Sequence, residues 1–223
     1  MTGPVDVRCD HVPMSDDILA GQIDYYRHRA GEYDATAYGD VAVARPRIAR
    51  LVAAMRPAGR VLEIACGTGL WTEALAGQAR ELTAIDTAPE AVAIARRRVP
   101  AAHFEVADVF AYRPAARFDV VFFSAWLSHV PQDRFDRFWR LLGDLITDDG
   151  RVLFIDEHVD EQPKEAWVSD GVVERTLNDG RTFRIVKHFV DPDRLTRRLG
   201  RLGWDCTIVR DGPDWVRGEA RRR

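Results

Sequence analysis

Two glycines, Gly67 and Gly69, stand in Glu63-Ile64-Ala65-Cys66-Gly67-Thr68-Gly69, at the end of one apolar run and just ahead of a helix-like segment. Glycine there permits a tight turn and lets a ligand approach the backbone without meeting a Cβ. Thr72 occupies the position where a nicotinamide-dinucleotide fingerprint has a further glycine, so a ligand without a pyrophosphate is favoured over one whose phosphates the loop would cradle. Asp86 closes the next apolar run, Thr83-Ala84-Ile85-Asp86. A carboxylate at a strand tip accepts hydrogen bonds from a ribose diol, which points to an adenosine-containing ligand; its competing role is to cap the helix that Pro89 opens. Asp108 closes a third run, in Val106-Ala107-Asp108-Val109, where it can accept from an exocyclic amine while Val109 packs on the ring. Taken alone it is an ordinary loop aspartate.

His129 follows a fourth run, in Ser124-Ala125-Trp126-Leu127-Ser128-His129. An imidazole of ordinary pKa, about 6.5, suits removal of a proton from a hydroxyl nucleophile, while the alternative is packing or capping ahead of Pro131. Trp126 either walls an acceptor site or fills the core. Asp156, Glu157 and His158, with His188, carry oxygen and nitrogen donors of the kind that bind divalent metals, yet ordinary loop chemistry is the default and no metal is assigned. Cys66 packs beneath the loop, with no neighbouring cation to activate it. Cys9, Cys66 and Cys206 form no CxxC pair, which suits reduced thiols and no disulfide.

These residues need elements to hold them. The 223-residue chain is 46% hydrophobic and 30% charged, a composition of globular domains rather than of fibrous or disordered chains. Its net charge of −3 offers no basic field for a nucleic acid, and neither a membrane span nor a signal peptide is evident, so the expected compartment is the cytoplasm. Residues 1–20 read as a loose leader, and the terminal Arg221-Arg222-Arg223 as a solvated tail. Ile48, Leu51, Val52 and Met55 recur at helical spacing and end at Pro57 and Gly59. Strand-like and helix-like segments then alternate over 60–65, 71–80, 82–86, 89–99, 103–106, 118–124, 133–146 and 151–156. Such alternation predicts βαβ units around a parallel sheet, with helices on both faces and the strand tips on one ligand-binding edge. Asn178-Asp179-Gly180 between 172–177 and 181–186 predicts a hairpin that interrupts the pattern, before a helix at 193–202 and strands at 204–210 and 214–219.

The three strand tips resemble the class I S-adenosylmethionine-dependent methyltransferases, small bacterial type, over most of the chain from about residue 21. The glycine segment is similar to that family's first motif, E-x-x-x-G-x-G, and Asp86 and Asp108 fall at its ribose and adenine positions. The resemblance implies a Rossmann-like seven-stranded, mostly parallel sheet whose last strand runs antiparallel. It further implies that Cys66, Gly67, Thr68 and Gly69 contact the methionine part of the cofactor with Glu63 supporting the loop, and that Thr87, Val109, Phe110 and Ser124 complete the cofactor contacts. Tyr25-Tyr26-Arg27-His28-Arg29-Ala30-Gly31-Glu32-Tyr33-Asp34 is similar to the YY-x-x-x-A-x-x-YD lid helix of small bacterial members. That implies Tyr26 and Tyr33 over the cofactor and Arg29 as a carboxylate partner, unless the tyrosines only pack on the sheet edge. Ser124-Ala125-Trp126-Leu127 departs from the [NDS]-P-P-[YFW] motif of enzymes that methylate nucleic-acid amines.

The expected organisation is the leader at 1–20 and one methyltransferase domain at 21–223, divided into lid helices at 21–58, a cofactor core at 59–156, the hairpin insertion at 157–190 and the C-terminal helix and strands at 191–223. The expected activity is methylation of a small-molecule acceptor from S-adenosylmethionine, at a hydroxyl with His129 as base and with Tyr25, Trp126, His129 and His158 at the acceptor. Carboxyl or amine methylation, an NAD-dependent oxidoreductase and a non-catalytic S-adenosylmethionine-binding module are the alternatives, and the chain is expected to be a monomer or homodimer.

Overall fold

The computed structural model describes residues 14–223, so Cys9 and most of the expected leader lie outside the described residues. In chain order the elements are α1 (Asp16–Arg29), α2 (Tyr33–Tyr38), α3 (Val41–Met55), β1 (Arg60–Ile64), α4 (Leu70–Ala76), β2 (Glu81–Asp86), α5 (Pro89–Arg98), β3 (His103–Val106), β4 (Phe118–Ser124), α6 (Phe135–Leu145), β5 (Ile146–Glu157), β6 (Trp167–Ser169), β7 (Val172–Thr176), β8 (Thr182–Val186), α7 (Pro192–Arg201), β9 (Trp204–Asp211) and β10 (Trp215–Arg222). The main sheet has seven strands in the order β3-β2-β1-β4-β5-β10-β9. Its pairings are parallel from β3 through β5, and β10 runs antiparallel to both of its neighbours.

Strand periodicity explains how this sheet is covered on two faces. Leu62 and Ile64 of β1, Val121 and Phe123 of β4, and Val152 and Phe154 of β5 point to one side, where they meet Phe135, Phe138, Trp139 and Leu142 of α6 and Leu199 of α7. The intervening Val61, Val120, Phe122, Leu153 and Ile155 point to the other side, against α3 and α4. A period of two on continuously apolar strands leaves no solvent face, as a parallel sheet with helices on both sides requires.

Gly218 of β10 is fixed by this packing. A Cβ there would lie 2.1 Å from Cζ of Phe154, a fully buried ring stacked on Phe123 with centroids 5.6 Å apart. Because that ring has no free volume to retreat into, Gly218→Ala is expected to destabilise the chain by about 1–3 kcal/mol. A denaturant midpoint equal to that of the parent would show that the core can yield.

Several boundaries differ from the sequence reading. Helix α1 begins at Asp16, inside the expected leader, because the Ser15 hydroxyl accepts from Ile18 N and Asp16 and Asp17 fill the first turn, favourable at a helix N-terminus. The lid segment is two helices, α1 and α2, broken at Ala30-Gly31-Glu32. The hairpin is part of a three-stranded sheet, β6-β7-β8, since the short exposed strand β6 also pairs with β7. The terminal arginines are solvated, as expected, but end a strand rather than form a tail: Arg221 and Arg222 belong to β10, Arg222 donates to the Gly143 carbonyl, and Arg223 pairs with Asp205 at 2.7 Å. Among the described residues no helix is long and apolar enough to cross a membrane.

Candidate active site

The tips of β1, β2, β3 and β4 open on one edge, as the crossovers dictate, and the small sheet and α1 close over it. Tyr25 packs with Val173, Leu177 and Ile185 of the hairpin. The Gln22 side chain stitches the layers together, accepting from Val186 N at 2.9 Å and donating to the His129 carbonyl at 3.3 Å. Asp34 at the start of α2 ties the lid to the glycine loop by accepting from the Thr68 hydroxyl and from Arg98, whose other amino group donates to the Thr68 carbonyl at 2.9 Å.

The glycine loop turns sharply between β1 and α4. Gly69 has φ of 85°, and a Cβ on it would stand 2.9 Å from the Ala95 Cβ, so both backbone conformation and the close passage of α5 call for glycine. Asp86 accepts from Gly67 N through one oxygen and from Ala88 N through the other, each at 2.8 Å. It thereby fixes the loop against the start of α5, and burial raises its pKa. Each carboxylate oxygen retains a lone pair toward the cleft, which suits a vicinal diol. Asp108 uses one oxygen to accept from Phe110 N at 2.9 Å. These features fit an adenosine moiety, with Asp86 and Asp108 as acceptors and the turn of Gly67 giving backbone access.

Glu63 sits behind the loop, 2% exposed, with Oε2 lacking a hydrogen-bond partner. Burial pushes its pKa up to about 8 despite the neighbouring Thr72. A carboxyl whose folded pKa exceeds its unfolded one contributes most below the unfolded value and loses that contribution as pH rises through the folded one. Glu63→Gln, neutral at every pH, is therefore expected to gain stability relative to the parent between about pH 4.5 and pH 8, by roughly a few kcal/mol at the top. Thermal unfolding of both chains across that range measures it, and a constant difference would remove the buried charge from the argument.

His129 ends a 3-10 turn at Leu127–His129 and is 7% exposed. Its Nδ1 lies 2.7 Å from the Val186 carbonyl oxygen, which can only accept, so Nδ1 carries the proton. Nε2 is then an acceptor, and the Tyr26 hydroxyl donates to it at 2.9 Å. Burial holds the imidazole well below its ordinary pKa, as do the positive charges of Lys187, Arg175 and Arg29. Burial likewise pushes the Tyr26 phenol up.

Two hollows meet at this pair. One is a narrow cleft of about 80 Å³ over the strand tips, lined by Gly67, Thr68, Asp86, Thr87, Asp108 and Val109. The second, of about 440 Å³, lies under the hairpin and is lined by Tyr25, Arg29, Arg175 and Lys187. Tyr26, Tyr33, Ser124, Ala125 and His129 border both. Small-ligand sites occupy about 300–1,000 Å³, so the cleft in this conformation is narrower than a typical nucleoside site, whereas the cavity under the hairpin falls within that range.

The sequence-expected residues divide among these spaces. Glu63, Cys66, Gly69 and Phe110 line neither hollow: the first three support the loop from behind, and Phe110 packs on the core beside α6. Arg29 faces the larger cavity, held by the Thr36 hydroxyl and stacked on Tyr33. Trp126, expected at the acceptor, lines the narrower cleft over the strand tips and not the larger cavity, its ring packed edge-on against Phe138. His158, also expected at the acceptor, lines neither hollow; its Nδ1 accepts from Asp160 N and caps the turn that follows β5. Asp34, Gln22, Arg175 and Lys187 were not singled out by sequence. Asp34 had a signal in the YD pair, whereas Arg175 and Lys187 reach the cavity only through the hairpin's folding back. Among the described residues no group of three or more His, Cys, Asp or Glu is arranged to hold a metal ion.

Comparison with known proteins agrees with this geometry. Residues 61–150 match the family model of a methyltransferase domain. The solved structure of DhpI with SAH superposes with a TM-score of 0.83 at 38% identity, covering 94% of this chain and 98% of that one, and a DhpI-SAM-HEP complex matches equally well. A trans-aconitate 2-methyltransferase of Methylobacterium nodulans is 37% identical over 106 residues, and a ubiquinone biosynthesis O-methyltransferase of Xylella fastidiosa is 40% identical over 79. Those alignments take in 44% and 32% of this chain and span only 41% and 32% of the two relatives. The dinucleotide-dependent oxidoreductase alternative is thereby set aside. With full-length likeness to DhpI, the matching domain and the strand-tip architecture in agreement, the chain belongs to the class I S-adenosylmethionine-dependent methyltransferases.

Proposed function

We propose that this enzyme methylates an oxygen atom of a small molecule seated in the cavity under the hairpin, at the point where that cavity meets the cofactor cleft. The observation that carries the reading is the shared border of the two hollows, where Tyr26, Ser124 and His129 face both. S-adenosylmethionine supplies an electrophilic methyl group on a sulfonium. The protein's task is alignment, since in-line displacement needs the reacting atoms about 3–3.5 Å apart and water excluded. The lid, stitched to the hairpin through Gln22, provides that enclosure.

For a hydroxyl acceptor, its proton passes to the Tyr26 oxygen as the Tyr26 proton moves to Nε2 of His129. Nδ1–H stays anchored on the Val186 carbonyl, so the ring keeps its orientation as Nε2 takes up the proton. The positive charges that depress the His129 pKa oppose the imidazolium so formed, and this favours a second reading in which the acceptor oxygen is already ionised, as in a carboxylate. His129 and Tyr26 then orient the oxygen without deprotonating it.

A panel of small hydroxyl, carboxylate and amine compounds, assayed for release of S-adenosylhomocysteine, tests the proposal. Release is expected with oxygen acceptors; turnover confined to amines would overturn it.

A further inference from the structure

Lys187 is an unusual residue for the floor of a cavity. Its side chain is 3% exposed, yet it faces the same 440 Å³ space as Arg175, Arg29 and His129. Lysine is almost never this buried unless paired, and three like charges around one space repel each other. Their carboxylate partners stand beside or behind them. Lys187 Nζ lies 2.9 Å from Glu157, and Arg175 pairs through one amino group with Glu165 at 2.6 Å. Arg29 meets only the Thr36 hydroxyl and the rings of Tyr25 and Tyr33, with no carboxylate within ion-pair distance among the described residues. Guanidinium carries five N–H groups and ammonium three, so each of the three retains donors for a guest.

The acids of the cavity are otherwise engaged. Asp156 accepts from Ser128 N and Glu157 N, and Glu32 accepts from Asn178 N on the hairpin turn. The three carboxylates of the lining, Glu32, Asp156 and Glu157, thus each already accept from the protein, whereas Arg29 has no carboxylate partner among the described residues.

We infer that this cavity is a subsite for an oxyanion on the acceptor, a carboxylate or a phosphate-type group, held by Arg175 and Lys187 with Arg29 at its edge. The inference rests on the reading that the acceptor occupies this cavity, and it adds the acceptor's charge class and the residues that select it. Arg175 and Lys187 act as specificity-determining groups contributed by β7 and the residue after β8. Charge-assisted hydrogen bonds from this ammonium and guanidinium favour an anion over a neutral isostere, which would leave their remaining donors unmet.

The test uses the full chain saturated with S-adenosylhomocysteine and titrated by calorimetry with inorganic phosphate, acetate and, as a cationic control, ethylammonium. At least one anion is expected to give a saturable isotherm while ethylammonium gives none; phosphate against acetate identifies the tetrahedral or planar source. Arg175→Gln is expected to weaken that anion about 10- to 100-fold with S-adenosylhomocysteine affinity unchanged within about twofold. Because Lys187→Met alone would leave Glu157 unpaired, it is paired with Glu157→Gln, and the double variant is expected to lose a similar factor. Failure of both anions to bind, or parental anion affinity in both variants, overturns the subsite. The acceptor panel reads the underlying proposal separately: neutral alcohols turned over as well as anionic ones would keep oxygen methylation and remove the oxyanion subsite, whereas anion binding without methyl transfer to oxygen would do the reverse.

Discussion

Asp86→Ala is expected to weaken S-adenosylmethionine binding by about 10- to 100-fold, or roughly 1–3 kcal/mol. The effect has two parts that act together. The carboxylate accepts from Gly67 N and Ala88 N, so its removal strands two backbone donors and loosens the glycine loop against α5. It also removes the acceptors that the strand tip offers to a ribose diol. Asp86→Asn keeps the size and one acceptor oxygen, and is expected to fall between the parent and the alanine variant. Calorimetric titration of the folded variants measures both, and an unchanged dissociation constant in Asp86→Ala would take Asp86 out of the cofactor site.

His129→Ala is expected to slow methyl transfer to a hydroxyl by roughly 10²–10⁴ while cofactor affinity stays nearly intact. Only the neutral imidazole accepts a proton, and burial with three nearby cations keeps it neutral to well below the ordinary histidine pKa. The parent rate is therefore expected to rise with pH through a step below pH 6.5 and to be flat above it, and the variant to lose that step. Tyr26→Phe, which removes the hydroxyl donating to Nε2 and leaves the ring, is expected to show a partial version of the same loss. If turnover in His129→Ala is near-normal with the parental pH profile, proton removal is not part of the reaction, and the acceptor oxygen arrives ionised.

The core of this fold was legible because its signals are local. Alternating apolar runs, the glycines at 67 and 69 and the aspartates at 86 and 108 each follow from backbone geometry within one βα unit, and the crossover rule brings the strand tips to one edge. The hairpin turn was equally legible: Asp179 accepts from Arg181 N, and Gly180 takes φ of 88°. What the hairpin does was not legible. Its destination is set by Tyr25, Val173 and Ile185 on the α1 side and by the Val186 carbonyl on His129, residues far apart in sequence, and those contacts bring Arg175 and Lys187 beside His129. The same holds for the low basicity of His129, which arises from its burial and from cations on the segment after β8, on β7 and on α1. Trp126 and His158 lie outside the larger cavity because both sit near strand ends, where local packing and capping decide which way a side chain faces: Trp126 lines the narrower cleft and His158 caps a turn.

Transfer of an isotope-labelled methyl group from S-adenosylmethionine to a small hydroxy acid, with the label located in the product by NMR, tests the central claim most directly. The predicted result is a methyl bonded to oxygen, formed with one equivalent of S-adenosylhomocysteine and slowed in both Arg175→Gln and His129→Ala if a hydroxyl accepts, or in Arg175→Gln with little change in His129→Ala if a carboxylate does. A methyl found only on nitrogen, carbon or sulfur across acceptors of each kind would contradict the account.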